Sequence, residues 1–303
     1  MRRIHADLLL LLAAVIWGTA FYFQKTAMDK VGPFLFVAAR CTVAALTLTP
    51  LAAIEAHRAA RDWPPRLSLI AITAAVAFFC AAGLQQVGMI TATVTNAGFL
   101  TSLYVIATPV LSWIFFGTLP GPYVWPAVGM ACAGTWMLGG GTLGGFSSGD
   151  WLIAASAVFW AGHMLITSQS APYARPIAFT ALQLSIVAIL ALTAAIITSE
   201  PITVAGLAGA AGAIAFVGVL STGLNFTLLA VALKYTPPAE AAILVSMETL
   251  FAAAAGALLL GERLSFVGWV GAAAMFSATL LVQAGPLSEY RRRRREVGDA
   301  RRP

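Results

Sequence analysis

From Leu67 to Gly149 the sequence runs for 83 residues without an Asp, Glu, Lys, Arg or His. An apolar stretch of roughly 20 residues is enough for a helix to cross a bilayer, so this interval has room for three crossings with short turns. Soluble domains carry about 25% charged residues; this chain carries 10%, against 60% hydrophobic. A membrane β-barrel would show segments of about 10 residues with alternating polarity, and none is seen. The expected class is an all-α integral membrane protein.

Ten apolar segments can be marked, near 8–27, 34–54, 67–86, 92–116, 123–139, 151–171, 177–197, 205–231, 239–260 and 266–284. The breaks fall at charge or at Gly/Pro turns: Asp29–Pro33, Glu55–Arg66, Gly117–Pro122 and Gly139–Gly149. Ten crossings put both termini on one side. That side collects 14 Lys and Arg, among them Arg58, Arg61, Arg66, Arg175, Lys234 and the block Arg291–Arg295; the other has Lys25, Lys30 and Arg263. The positive-inside rule then faces both termini to the cytoplasm, in a multi-pass protein of the inner (plasma) membrane. The net charge of +6 gathers in the tail. On a soluble protein such a tail would suggest nucleic acid; here it reads as a cytoplasmic anchor, and no nucleic-acid partner is expected. The start, basic and then apolar, has the outline of a signal peptide.

The two halves match. At an offset of 143, Val15 pairs with Val158, Trp17 with Trp160, Pro33 with Pro176 and Phe36 with Phe179. At 144, Ala97 pairs with Ala241, Leu100 with Leu244, Ser102 with Ser246, Gly117 with Gly261, Trp125 with Trp269 and Thr135 with Thr279. A single-residue insertion explains the step. Because the first span pairs with the sixth, the first reads as a retained helix. The domains are 1–139, a Gly-rich linker 140–149, 150–285 and a basic tail 286–303. Five spans per half is an odd number, so the second half is inverted relative to the first: ten transmembrane helices as two inverted five-helix repeats. Inverted repeats are a transporter architecture, with the substrate site between them and alternating access as the mechanism. Glu262 and Arg263 then mark the outer end of the ninth span, where the fourth has Gly117 and Thr118.

At these residues the chain resembles the EamA-type transporters of the drug/metabolite transporter superfamily. The resemblance rests on Trp17-Gly18 in the first span, Pro33 followed by Arg40 in the second, and NAGFLTSLYVIATPVL in the fourth. The ninth reads METLFAAAAGALLLGERL, similar to the family's pattern through Glu248, Gly261, Glu262 and Arg263. It departs from the family at Thr249, where proline is common, and at Thr118, where glutamate is common in the first half. The resemblance implies ten helices in inverted halves and export of small metabolites; amino-acid exporters, the YddG type among them, are members close in architecture.

Charged side chains within a bilayer cost about 2.5–3.5 kcal/mol each on insertion scales, so Arg40, Glu248 and His163, with Glu240 near a helix end, stand out. Arg40 suits a carboxylate held in a bidentate pair, although snorkelling would also account for it. Glu248 suits an amino group or a proton, or a hydrogen bond between helices. His163 lies three residues after Trp160, on one helix face, and the equivalent face of the first span bears Trp17 and Ala20; a satisfied core histidine is the plainer explanation. Phe78, Phe79 and Tyr104 are candidate walls of an apolar pocket. Asn225, with Gln85, Gln86, Asn96 and Gln183, either bridges helices or lines a cavity. Gln183 stands at the position equivalent to Arg40. Pro109 frees a carbonyl and is a candidate hinge. Gly129, Gly134, Gly206, Gly209 and Gly212 permit close helix packing. Cys41, Cys80 and Cys132 are isolated in apolar runs and have no metal-ligand spacing.

No HExxH, CxxC, GxSG or GxxxxGK motif is present, which argues against an intramembrane enzyme and against direct use of ATP. No ring of charge or carbonyl filter marks a channel. No cofactor or metal is expected; the partners are a small-molecule substrate and the lipid bilayer, with the oligomeric state left open. The sparse membrane charge suits zwitterions, and export of amino acids, aromatic or hydrophobic ones among them, is the expected function. Nucleotide sugars or other neutral metabolites are the second choice.

Overall fold

The computed structural model describes residues 2–58, 62–138, 147–261, 265–271 and 273–281. Glu262, Arg263, most of the Gly-rich join and the basic tail lie outside the described residues. In chain order the helices are α1 (Arg3–Ala27), α2 (Pro33–Arg58), α3 (Pro65–Gly88), α4 (Val94–Thr101), α5 (Tyr104–Phe116), α6 (Val124–Leu138), α7 (Ser148–Ser168), α8 (Pro176–Ile197), α9 (Val204–Gly209), α10 (Ala211–Ala215), a π-helical segment Phe216–Leu224, α11 (Asn225–Ala232), α12 (Pro238–Val245) and α13 (Glu248–Leu260). Among the described residues no strand occurs. Among the described residues eight helical runs are long and apolar enough to cross a membrane. α6 has only 15 residues, and Phe266–Leu281 is another shorter apolar helix.

Proline opens α2, α3, α8 and α12, where its missing N–H costs nothing and its fixed φ fits the first turn. α5 and α13 end on Gly117 (φ 63°) and Gly261 (φ 72°), a left-handed cap that glycine adopts without strain.

The repeat is carried into the backbone. α4 and α5 span 94–101 and 104–116, and α12 and α13 span 238–245 and 248–260, every boundary shifted by 144 residues. Each pair is one membrane-length run tightened at its middle. Ser102 Oγ donates to the Phe99 carbonyl at 2.9 Å, and the equivalent Ser246 donates to Ile243 at 2.7 Å. A serine hydroxyl that bonds back to its own helix competes with the backbone ladder. Backbone bonds to the third residue back follow at both sites, from Val105 to Ser102 (3.0 Å) and from Thr249 to Ser246 (3.0 Å). A short 3₁₀ turn inside a longer helix is a common hinge signature. Pro109, in contrast, sits within continuous α5.

α2 and α8 pack side by side and cap one another. Glu55, near the end of α2, accepts the N–H groups of Ile177 (3.3 Å) and Ala178 (2.8 Å) at the start of α8. Glu200, just past α8, accepts those of Phe34 (3.0 Å) and Leu35 (2.8 Å) at the start of α2. Each carboxylate answers the positive end of the other helix, and the two helices therefore run antiparallel.

α1 crosses α13 at Gly18. A Cβ there would lie 2.5 Å from the Glu248 carbonyl oxygen and 2.8 Å from the Ala252 nitrogen. Both are backbone atoms and cannot rotate away. Gly18→Ala is expected to cost about 1–3 kcal/mol, measured as lost thermal stability of the purified protein; an unchanged melting curve would mean that the crossing has slack. Of the other glycines, Gly134 and Gly206 meet backbone within 2.7 Å, whereas Gly129 and Gly212 face open space.

At the other end of α1, Arg3 pairs with Glu240 of α12 and lies 3.6 Å from Asp7. Tyr123, just before α6, donates to Glu240, and Thr236 donates to Asp7 at 2.7 Å. These ion pairs tie the start of α1 to the start of α12.

Candidate functional site

A small cavity of about 60 Å³ lies where α1, α2, α5, α7, α11 and α13 converge. Its lining repeats the sequence symmetry. Trp17 and Trp160, Phe21 and Met164 are equivalents at 143, and Tyr104 and Glu248 are equivalents at 144; all six line it.

One wall is aromatic. Phe226, opening α11, lies 5.0 Å from Trp17, 4.7 Å from Phe78, 5.4 Å from His163 and, stacked, 5.6 Å from Trp160 (ring centroids). Trp17 Nε1 donates to the Ser221 carbonyl at 2.8 Å, within the π-helical segment. π-helical turns occur often at functional sites because they unsettle the regular ladder.

Polar side chains line the cavity as well. Arg40, only 4% exposed, donates from Nη1 to Gln24 Oε1 at 3.0 Å, while its Nε has no hydrogen-bond partner. Tyr104 donates its hydroxyl to Glu248 Oε1 at 3.0 Å, so the two equivalent positions touch. Gln85 donates to Thr101 at 2.8 Å. The Trp160 indole N–H is also without a partner. Buried polar groups are usually satisfied; these two donors are packed within the protein without a partner.

Models of known families match the chain twice, at residues 4–140 and 147–283, both times the EamA-like transporter family. The chain belongs to the EamA-like transporter family. The two matches divide this EamA-like chain where its sequence repeat does. An uncharacterized transporter of Archaeoglobus fulgidus is 28% identical over 287 residues, covering 93% of this chain and 87% of its own. The uncharacterized transporter YwfM of Bacillus subtilis is 28% identical over 298 residues, covering 92% and 94%. A protein of known crystal structure shares the fold with a TM-score of 0.75 at 17% identity, over 92% of this chain and 97% of its own. Membrane transport is therefore the activity of the family.

Within this EamA-like fold, Trp17, Arg40, Tyr104, Trp160, His163 and Glu248 line the cavity. Phe78 stands behind the lining, fully buried against Trp160 at 5.1 Å and His163 at 5.4 Å. Phe79 turns to Phe34, 6.2 Å away. Asn225 bridges helices, donating to the Ala13 carbonyl at 3.0 Å. His163 is hydrogen-bonded, with Nε2 3.0 Å from Gln183 Oε1 and 3.3 Å from Thr167. Gln183 and Thr167 are the equivalents of Arg40 and Gln24, so the same helix pair is bridged in both halves. Sequence reasoning missed Gln24 and Phe226. Gln24 is a polar residue in an apolar span, a signal that was present; Phe226 is one of 17 phenylalanines and had none.

Tyr104→Phe removes the donor to a buried carboxyl. A loss of about 1–3 kcal/mol is expected, measured by thermal unfolding in detergent; a neutral result would separate Glu248 from Tyr104.

Proposed function

We propose that the protein is a secondary transporter that exports amino acids, with aromatic and hydrophobic ones preferred, by alternating access across the inner membrane. The observation that carries this reading is a single cavity lined by Arg40 and Glu248 together with Trp17, Trp160 and Phe226. A guanidinium for the carboxylate, a carboxyl for the amino group and rings for the side chain match a zwitterion with an apolar substituent. The cavity's 60 Å³ holds a few water molecules and falls well below the roughly 300 Å³ of an ordinary ligand pocket. Substrate enters only when the surrounding helices part, as alternating access requires.

The antiparallel, mutually capped α2 and α8 support an inverted relation between units 1–139 and 150–285. The short helices α6 and Phe266–Leu281 complete ten crossings in this reading. The charge bias supports cytoplasmic termini.

Purified protein in proteoliposomes, offered radiolabelled amino acids with and without a pH gradient, tests the proposal. Saturable uptake that unlabelled substrate suppresses supports it, and dependence on the gradient points to Glu248 or His163 as the proton carrier. Folded protein that moves no amino acid overturns it and favours nucleotide sugars or neutral metabolites.

A further inference from the structure

A second cavity, of about 290 Å³, lies among the end of α2, the 170–176 turn and the end of α11. It shares no residue with the central cavity. Arg175 and Lys234 stand on its wall with Tyr235, Ser170 and Glu55. Arg175 is nearly buried, 9% exposed, and its guanidinium stacks over the Trp63 ring at 5.9 Å. The Lys234 ammonium lies over its neighbour Tyr235 at 5.8 Å. The one acid, Glu55, is engaged by two backbone N–H groups at the positive end of α8, which offsets part of its charge. Two cations and one carboxylate that already has backbone partners therefore share this wall.

The other end of the α2–α8 pair shows what is particular here. The repeat equivalents of Arg175 and Lys234 are Gly32 and Ile90. At Gly32 a Cβ would lie 2.3 Å from Glu200 Oε2, so Glu200 fills that end. The same capped helix start is closed at one end of the molecule; at the other it opens on a cavity bearing two cations.

We propose that this cavity is a binding site for a phosphate ester. Arg offers a planar fork of donors to phosphate, and Lys a mobile point charge. Ala171, Pro176, Ala230 and Val231 supply an apolar wall for the carbon part of the ligand. Arg175 immediately precedes α8, and Lys234 follows the end of α11, so both cations stand at helix ends, the level of lipid headgroups. In the orientation argued from charge, that is the anionic cytoplasmic leaflet. The same chemistry is offered by an anionic phospholipid and by a soluble phosphate ester.

Full-length protein in detergent, examined by native mass spectrometry with phosphatidylglycerol, phosphatidylcholine or glycerol 1-phosphate, tests this. The expected result is retention of phosphatidylglycerol over phosphatidylcholine, weakened about fivefold by each of Lys234→Gln and Arg175→Gln. Ala171→Trp, which fills the cavity without changing charge, should weaken it as well. Arg66→Gln, an exposed cation outside the cavity, should have no effect. Glycerol 1-phosphate binding that the same variants abolish, with no preference between the lipids, would support the site with a soluble ligand. Equal losses from Arg66→Gln and Lys234→Gln would reveal a diffuse basic surface and overturn the proposal. So would binding unchanged in both Lys234→Gln and Ala171→Trp, which decide the matter if Arg175→Gln does not fold.

Discussion

Arg40→Gln is expected to cut transport of a carboxylate-bearing substrate by about 10–100-fold while the protein still folds. Arg40 is buried on the cavity wall, with one nitrogen bound to Gln24 and Nε unmatched. A hydrogen bond to a charged group contributes about 1.5–3 kcal/mol, which sets the size of the loss. Glutamine is a fair test residue because the equivalent position already holds it: Gln183 is fully buried in the second half and bonds across the matching helix pair. The fold thus accepts an amide there, and Gln24 keeps a partner. Initial rates in proteoliposomes, compared for an amino acid and for the corresponding amine, would read the effect. A similar fall for both would assign Arg40 to structure and not to carboxylate recognition.

Glu240→Ala is expected to destabilise the protein by about 3 kcal/mol. Breaking a buried ion pair costs about 3–5 kcal/mol because the remaining charge is left uncompensated. The lower end applies, since the Arg3 side chain is 31% exposed and solvent screens it. Asp7 would keep part of the Arg3 contact, and Tyr123 would lose its acceptor. Thermal unfolding in detergent measures the loss. Replacing all three charged groups, Arg3→Met with Glu240→Met and Asp7→Asn, should recover most of it, because no charge is then left stranded. A triple variant no better than Glu240→Ala would show that the cluster contributes something other than charge compensation.

Much of the architecture was legible because it depends on local composition. The uncharged run from Leu67 to Gly149 required membrane helices, since only internally hydrogen-bonded segments survive in lipid. The 144-residue offset found in Ser102, Gly117 and their partners reappeared in the boundaries of α4, α5, α12 and α13. The eight long spans fell close to the apolar segments. The sites of helix weakening were less legible. Pro109 is the conspicuous breaker, yet the tightened turn lies at Ser102–Leu103, where a hydroxyl bonds back to its own helix. Serine also sits quietly in many helices, so its choice of partner cannot be read from the residue alone.

Of the candidate site, the costly residues were readable. Arg40, His163 and Glu248 stood out because lipid penalises them, and all three line one cavity with Trp17 and Trp160. Their partners were not readable. Tyr104 and Glu248 are 144 residues apart and touch; Arg40 meets Gln24, and Phe226 meets four rings from three other helices. Phe78, Phe79 and Asn225 were equally plausible as lining by type, yet none of them reaches the cavity.

By itself, then, the sequence determined the solvent, the helical class, the repeat and the family, because hydropathy, charge bias and spacing are properties of the chain's own order. Only the tertiary structure decided which polar groups satisfy each other, which donors on Arg40 and Trp160 stay unmatched, and that the capped helix start at Arg175 opens on a cavity where the one at Gly32 is closed. Those outcomes depend on distances of about 3 Å between groups far apart in the chain, and such distances are set by how helices cross.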